Sequence, residues 1–420
     1  MNDLAWIEGA ITAARPQAIA ALLRYFRDLD TAEEAFQESC LRALKTWPTN
    51  GPPRDPAAWL IMVGRNAALD ATRKNARMTA LPDEEQVSDL SDREAYMADR
   101  LDETHYRDDM LRLLFICAHP DLPATQQIAL ALRIVSGLSV KQIARAFLVS
   151  EAAMEQRITR AKAKVSDAGV PFETPGAVER AERLAAVMAM IYLVFNEGYS
   201  AGPKDEERGM LAEEAIRLGR LLLRMYQAEP EVMGLLALML LQHSRAPARY
   251  NAAGEIVLLE DQDRSLWRVT LIQEGLALIE KAMRHGQTGA YLVQAAIAAL
   301  HSRARQYADT DWPGIDALYA TLEHLNPSPV ITLNRAVAVS KIKGPEAALE
   351  MIAPLEAALG GYFHFHGARG ALLLQLGQNR AAREAFDRAI SLANTPAEAA
   401  HIRMHIDRLT ADAEKARNSA

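Results

Sequence analysis

Gly137-Leu-Ser-Val-Lys-Gln-Ile-Ala-Arg-Ala-Phe-Leu-Val-Ser-Glu-Ala-Ala-Met-Glu-Gln-Arg-Ile-Thr-Arg-Ala-Lys-Ala-Lys164 decides the fold. Ser139 is placed to cap a helix whose Ile143, Ala144 and Phe147 face inward, Leu148 to Ser150 form a short turn, and Met154, Ile158 and Ala161 line a second helix. That is a helix-turn-helix. Glu151, Ala152, Glu155, Gln156, Thr159, Arg157, Arg160, Lys162 and Lys164 are left facing outward. Such a helix puts its amino end into a major groove and its basic tail on phosphates. The competing reading is a helical hairpin with a solvated charged face.

Working outward, the rest of the chain reads as helix too. Ile19, Leu22, Leu23 and Phe26 repeat at helical spacing, and after Asp30-Thr31 the pattern continues through Phe36, Cys40, Leu41 and Leu44. Pro48 to Pro56 breaks it, and another helix opens at about Ala57. Beyond Pro171 and Pro175 the chain is rich in Ala and Leu, with no strand alternation. The spacing of Gly370, Gly377, Ala382, Phe386 and Ala389 is that of a tetratricopeptide-like helix pair, and a looser copy begins at Asn334 and turns at Gly344. The expected class is all-α, in a chain of 420 residues, long enough for several domains.

With 50% hydrophobic and 24% charged residues, disordered, collagen-like and disulfide-scaffold chains are excluded. Apolar runs such as Met233 to Leu241 are too short to span a bilayer, and the amino terminus lacks a signal-peptide core, so a cytoplasmic location and no membrane partner are expected. Cys40 and Cys117 read as buried thiols. The net charge of −7 hides two basic islands. Residues 59–80 set Arg65, Arg73, Lys74 and Arg77 against Asp70, and residues 138–165 set six cations against Glu151 and Glu155. Between them, residues 83–109 carry eleven carboxylates and three arginines. Two basic islands across an acidic bridge suggest two contact surfaces on one polyanion. The acid run itself reads either as a solvated linker or as a mimic of nucleic acid.

In the first island, Trp59 and Val63 share a face, and Asn66, Asp70, Arg73 and Arg77 follow at spacings of three and four. Amides to read base edges, cations for the backbone and an aromatic for stacking are what unpaired bases require. A Trp at a helix start is more often core, and an Arg-rich helix end often only complements the helix macrodipole. No phosphate loop, dinucleotide glycine pattern or zinc motif occurs, so neither an enzyme nor a cofactor nor a metal is expected. His364 and His366, at i and i+2, fall on different helical faces and read as core or surface.

Asp30-Thr-Ala-Glu33-Glu34-Ala-Phe-Gln37-Glu38 with Trp47, then Trp59 with Arg65-Asn66, Asp70 and Arg73, then the helix-turn-helix, resembles a bacterial RNA polymerase sigma factor of the extracytoplasmic-function subfamily. The resemblance implies sigma region 2 over 1–80, an acidic linker over 81–106 in place of a region 3 domain, and sigma region 4 over 107–170. Asp30, Glu33, Glu34, Gln37 and Glu38 would bind core RNA polymerase. Trp59, Arg65, Asn66, Asp70, Arg73, Lys74 and Arg77 would hold the melted −10 element of promoter DNA. Ser150, Glu151, Ala152, Glu155, Gln156, Arg157, Arg160 and Lys164 would read the −35 element as duplex. Glu155 stands where the family usually has a basic residue, and a carboxylate there suits cytosine N4.

Residues 176–420 resemble the tetratricopeptide-like regulatory extension of one branch, on the marks Tyr192 to Ser200 and Gln262 to Trp267. A regulatory protein or ligand would act there. Asn196, Glu197, Tyr199, Asp263 and Arg264 are candidates to line a pocket, with capping or salt-bridge roles as the alternative. The rival to the whole reading is a helix-turn-helix regulator coupled to a solenoid sensor, which has no use for the first 80 residues.

Overall fold

The structure, a computed structural model, describes residues 5–51, 53–76, 103–147, 149–167, 177–202 and 205–393, with 399, 402, 403 and 406. The regular elements among these residues are helices, with no named strand; Tyr250 and Ile256 form an isolated antiparallel bridge. The chain divides into Met1–Val194 and Phe195–Ala420.

In the first unit, α1 (Ala5–Phe26) buries Ile19, Leu22 and Leu23 against α2 (Leu29–Asn50) and α3 (Pro56–Ala76). The break between α1 and α2 comes earlier than Asp30-Thr31. Arg27 adopts φ +57, and the Asp28 carboxylate accepts the Thr31 amide at 2.7 Å, capping α2. Those hydrogen bonds lower the Asp28 pKa. Pro48 does not end α2 either. It lies in the last turn, where its ring and missing N–H disturb only the Leu44 carbonyl, so the helix runs on to Asn50, and the Gly51 N–H returns to the Trp47 carbonyl. Asp55 caps α3 through the Ala57 and Ala58 amides, with Pro56 in the first turn.

The expected linker, residues 81–106, lies outside the described residues up to 102. α4 (Glu103–Cys117) begins within its last four positions. Asp109, counted with the acid run, is buried and paired with Arg24 at 3.2 Å and Arg112 at 3.5 Å. It belongs to the packing of α4 on α1. α5 (Ala124–Ile134) and Gly137, at φ +75, lead into α6 (Val140–Ala146) and α7 (Glu151–Asp167). Ser139 Oγ accepts the Gln142 amide, and Gln142 Oε1 accepts the Ser139 amide at 2.9 Å, a reciprocal capping box. Ile143, Ala144, Met154, Ile158 and Ala161 are buried as the periodicity requires. Phe147 is only half buried, and Leu148 lies outside the described residues.

α8 (Ala177–Tyr199) crosses the division between the units. In the second unit, α9 (Glu206–Met225) packs on α10 (Pro230–Ser244), the apolar run around Met233, which is buried nearly all round because α11 (Val269–Met283) and α12 (Ala290–Arg303) also cover it. Glu231 of α10 accepts the Tyr291 and Leu292 amides, each at 3.0 Å, and so caps α12 from a neighbouring helix.

Then follow α13 (Trp312–Leu325), α14 (Pro329–Lys343), α15 (Pro345–Ile352), α16 (Phe363–Gln375) and α17 (Asn379–Ser391). Gly344, at φ +91, makes the expected turn between α14 and α15. α16 and α17 meet at Gly370, where a Cβ would stand 2.5 Å from the Phe386 ring. Phe386, Ala382 and Ala389 are fully buried around it.

Phe386→Ala should therefore destabilise the second unit by about 3–5 kcal/mol. Denaturant unfolding of the full chain, with hydrogen exchange read over α16 and α17, checks this; unchanged protection there would refute the packing.

Candidate functional site

The faces of α2 separate the five residues expected to bind polymerase. Ala32, Glu33, Ala35, Phe36, Ser39, Ala43 and Trp47 point inward. Glu34 and Gln37 point outward, and Glu38 reaches Arg42 at 3.0 Å along the same helix. Leu41 and Leu44, part of the helical repeat read from the sequence, are 54% and 49% exposed and continue this outward stripe. Their helical spacing from Glu34, Gln37 and Glu38 was visible, but spacing alone does not say which of two apolar stripes is covered. Acidic groups beside exposed leucines form a surface suited to a protein partner.

Glu33 is a correction to the expected set: it is 5% exposed and turned into the unit. Its carboxylate takes Lys162 Nζ of α7 at 2.5 Å, Arg15 of α1 at 3.4 Å and Arg133 of α5 at 3.8 Å. Lys162 also bonds Asp30 at 2.6 Å, so it is not part of an open basic face. Burial would lower the Lys162 pKa, but the hydrogen bonds to Asp30 and Glu33 outweigh it and leave the pKa raised. Arg15 donates further to the Ile134 and Arg133 carbonyls, closing the exposed end of α5. Burial, aided by Arg133, lowers its pKa against the opposing pull of Glu33.

On α3, Trp59 is half buried and meets Trp47 edge-on at 5.3 Å, while Trp47 stacks on Trp6 at 6.1 Å. Trp59 thus has one edge against the aromatic cluster and part of its ring exposed. Arg65 lies 5.6 Å from the Tyr25 ring centre, and Asn66 is half buried one residue on. Asp70, Arg73 and Lys74 are on the same helix, their side chains outside the described residues, and Arg77 lies outside them altogether.

On α7, Glu151, Ala152, Glu155, Gln156 and Arg160 are exposed and Arg157 is half buried. Ser150 is a correction in role, because its Oγ accepts the Ala153 amide at 3.2 Å and caps the helix. Lys164 donates to the Asp121 carbonyl.

The five residues proposed for a pocket in the second half have other partners. Glu197 pairs with Arg208 at 3.0 Å, Asp263 caps a short helical turn through the Ser265 amide, and Arg264 donates to the His301 and Ala304 carbonyls. Asn196 is half buried near the end of α8. Tyr199 lines a cavity with Asp205, His243, Arg249 and Asn251, and the Arg249 guanidinium lies 3.7 Å from its ring centre. Capping and salt-bridge roles account for Glu197, Asp263 and Arg264.

Cys40 and Cys117 are free thiols, and burial pushes Cys40 up to about 11 and raises Cys117 as well. His366 is buried and lies 2.9 Å from the Gly360 carbonyl, whereas His364 is exposed. Among the described residues no group of three His, Cys, Asp or Glu is placed to hold a metal, and no helix is long and apolar enough to cross a membrane.

Known proteins carry this arrangement. Residues 10–78 match Sigma-70 region 2, residues 112–165 match Sigma-70, region 4, and residues 183–283 match a family of unknown function, DUF6596. Uncharacterized protein R00370 of Rhizobium meliloti (strain 1021) is 68% identical over 414 residues, 98% of each chain. A helical region 2 followed by a helix-turn-helix region 4 defines a transcription initiation factor that binds core RNA polymerase and promoter DNA. The chain belongs to the sigma-70 family and is an RNA polymerase sigma factor.

Lys162→Ala leaves Glu33 with two more distant cations and should cost about 1–3 kcal/mol, less than a fully buried pair because Lys162 is partly solvated. Asp30→Asn, at an exposed carboxylate, should stay within about 0.5 kcal/mol. Equal costs in denaturant titrations would show that the buried carboxylate is not the anchor. Leu41→Glu combined with Leu44→Glu should leave stability within about 0.5 kcal/mol and weaken retention on core polymerase roughly tenfold.

Proposed function

We propose that this sigma factor is of the extracytoplasmic-function type, directing core polymerase to a restricted set of promoters, with residues 176–420 as a tetratricopeptide-like regulatory extension. The observation that carries the reading is the interval between the matched regions. Residues 79–111 number 33, too few for a region 3 domain, and α4 of the region 4 module already begins at Glu103.

Within that reading, the outward face of α2, from Glu34 through Leu44, docks on the polymerase, and Asp30 lies at its edge. The carboxyl-terminal half of α3 holds unpaired −10 bases. Arg65 and Asn66 begin the stripe, Asp70, Arg73, Lys74 and Arg77 extend it, and Trp59 positions the helix through its indole contacts. Amides and cations at successive turns trap bases once the polymerase has opened the duplex. α7 enters the −35 major groove with Glu151, Ala152, Glu155 and Gln156 at base edges. Arg157 and Arg160 stand toward phosphates, Ser150 holds the helix start and Lys164 braces its end. An acidic chain gains little from counterion release alone, so free protein binds duplex weakly and acts as a pair of modules only on the enzyme.

In vitro transcription with core polymerase, followed by start-site mapping, tests this. Specific start sites are expected, lost when residues 10–78 are removed; specific transcription persisting without them would overturn the reading. Arg73→Ala with Lys74→Ala should weaken open complexes at many promoters alike. Glu155→Ala should instead change −35 preference, by about 1–3 kcal/mol per base contact.

A further inference from the structure

The second unit contains a cavity of about 380 Å³ where two packed layers meet. Ile315 and Ala338 on its wall belong to the core formed by α12, α13 and α14, whereas Leu333, Ile352 and Leu372 belong to the core of α14, α15 and α16. Ala336, Ala338, Ala368 and Ala371 line the seam, and their short side chains leave the space unfilled. The aromatic side is Trp312, with Tyr307 and His301 edge-on to it at 5.5 Å each, and Tyr319 on the same face of α13 two turns on.

Charge at the cavity is balanced from within. Lys341 and Glu260 at the rim stand 3.7 Å apart, Lys341 lies 5.4 Å from the Tyr307 ring, and the other polar groups, Asn334, Ser340 and Gln375, are uncharged. Burial, with Arg245 and Arg264 nearby, holds His301 neutral by lowering its pKa to about 4. Lys341 and Glu260 offset each other at the rim, so the cavity offers no net charge to draw in an anion or a cation. A neutral ligand leaves that pair intact. The volume is that of a small-molecule site, apolar with a few polar groups at one edge.

We propose that this cavity binds a small, uncharged, planar aromatic molecule, its ring among Trp312, Tyr307 and Tyr319 and its polar edge toward Asn334 and Gln375. By bridging two layers, such a ligand ties α12 through α16 together. That this sets transcription rests on the reading of the second half as regulatory; the binding itself does not.

The test titrates the full chain with N-phenyl-1-naphthylamine, an uncharged aromatic probe that fluoresces in apolar sites. One saturable site per chain is expected, with energy transfer from tryptophan that falls in Trp312→Phe. Val337→Phe, at a wall residue that is 42% exposed and so tolerant of change, should weaken the probe at least tenfold at an unchanged melting temperature. Ala371→Leu fills the same space from α16 and serves if Val337→Phe is unstable. No saturable binding, or wild-type binding in both filled variants, overturns the proposal. So does tighter binding of the anionic probe 1-anilinonaphthalene-8-sulfonate that is lost in Lys341→Ala. Promoter-directed transcription is measured separately, so failure of the sigma reading and failure of this site are told apart.

Discussion

Glu33 joins four helices of the amino-terminal unit at one carboxylate, with Arg15, Arg133 and Lys162 converging on it from α1, α5 and α7. Bringing these charges out of water costs nearly as much as their attraction returns, so the cluster contributes little net stability. What it contributes is register. A buried carboxylate accepts only arrangements that satisfy it, and this one is satisfied when the helix-turn-helix lies against α2 with the Lys162 turn over Glu33. Arg15 adds to the same constraint by bonding the last carbonyls of α5.

That placement sets which surfaces remain for partners. With Glu33 and Phe36 turned inward, the opposite stripe of α2 shows Glu34, Gln37, Leu41 and Leu44. With Met154, Ile158 and Ala161 buried, α7 shows Glu151 through Gln156 near its capped amino end. The contact surfaces are thus by-products of how each amphipathic helix hides its other side.

The second unit follows another rule. α10 is covered by three neighbours, and each later helix packs chiefly on the next, so the layers meet at seams rather than around one centre. Seams lined by alanine permit close approach where an aromatic fills the gap, as at Gly370 and Phe386. They leave a hollow where none does, as beside Ala336 and Ala371.

The helices, the Ser139 cap and the helix-turn-helix were legible in the sequence because periodicity and capping act over three to seven residues. Gly344 and Gly370 were legible for the same reason, as local demands on backbone and space. The placement of Glu33 was not. Whether a carboxylate meets a partner or three cations depends on residues far apart in the chain. The amino-acid order by itself determined which segments are helices and, at Ser139 and Gly344, where they begin or end. Only tertiary packing decided which face of each helix meets water, because that choice is made by neighbours that local sequence does not contain.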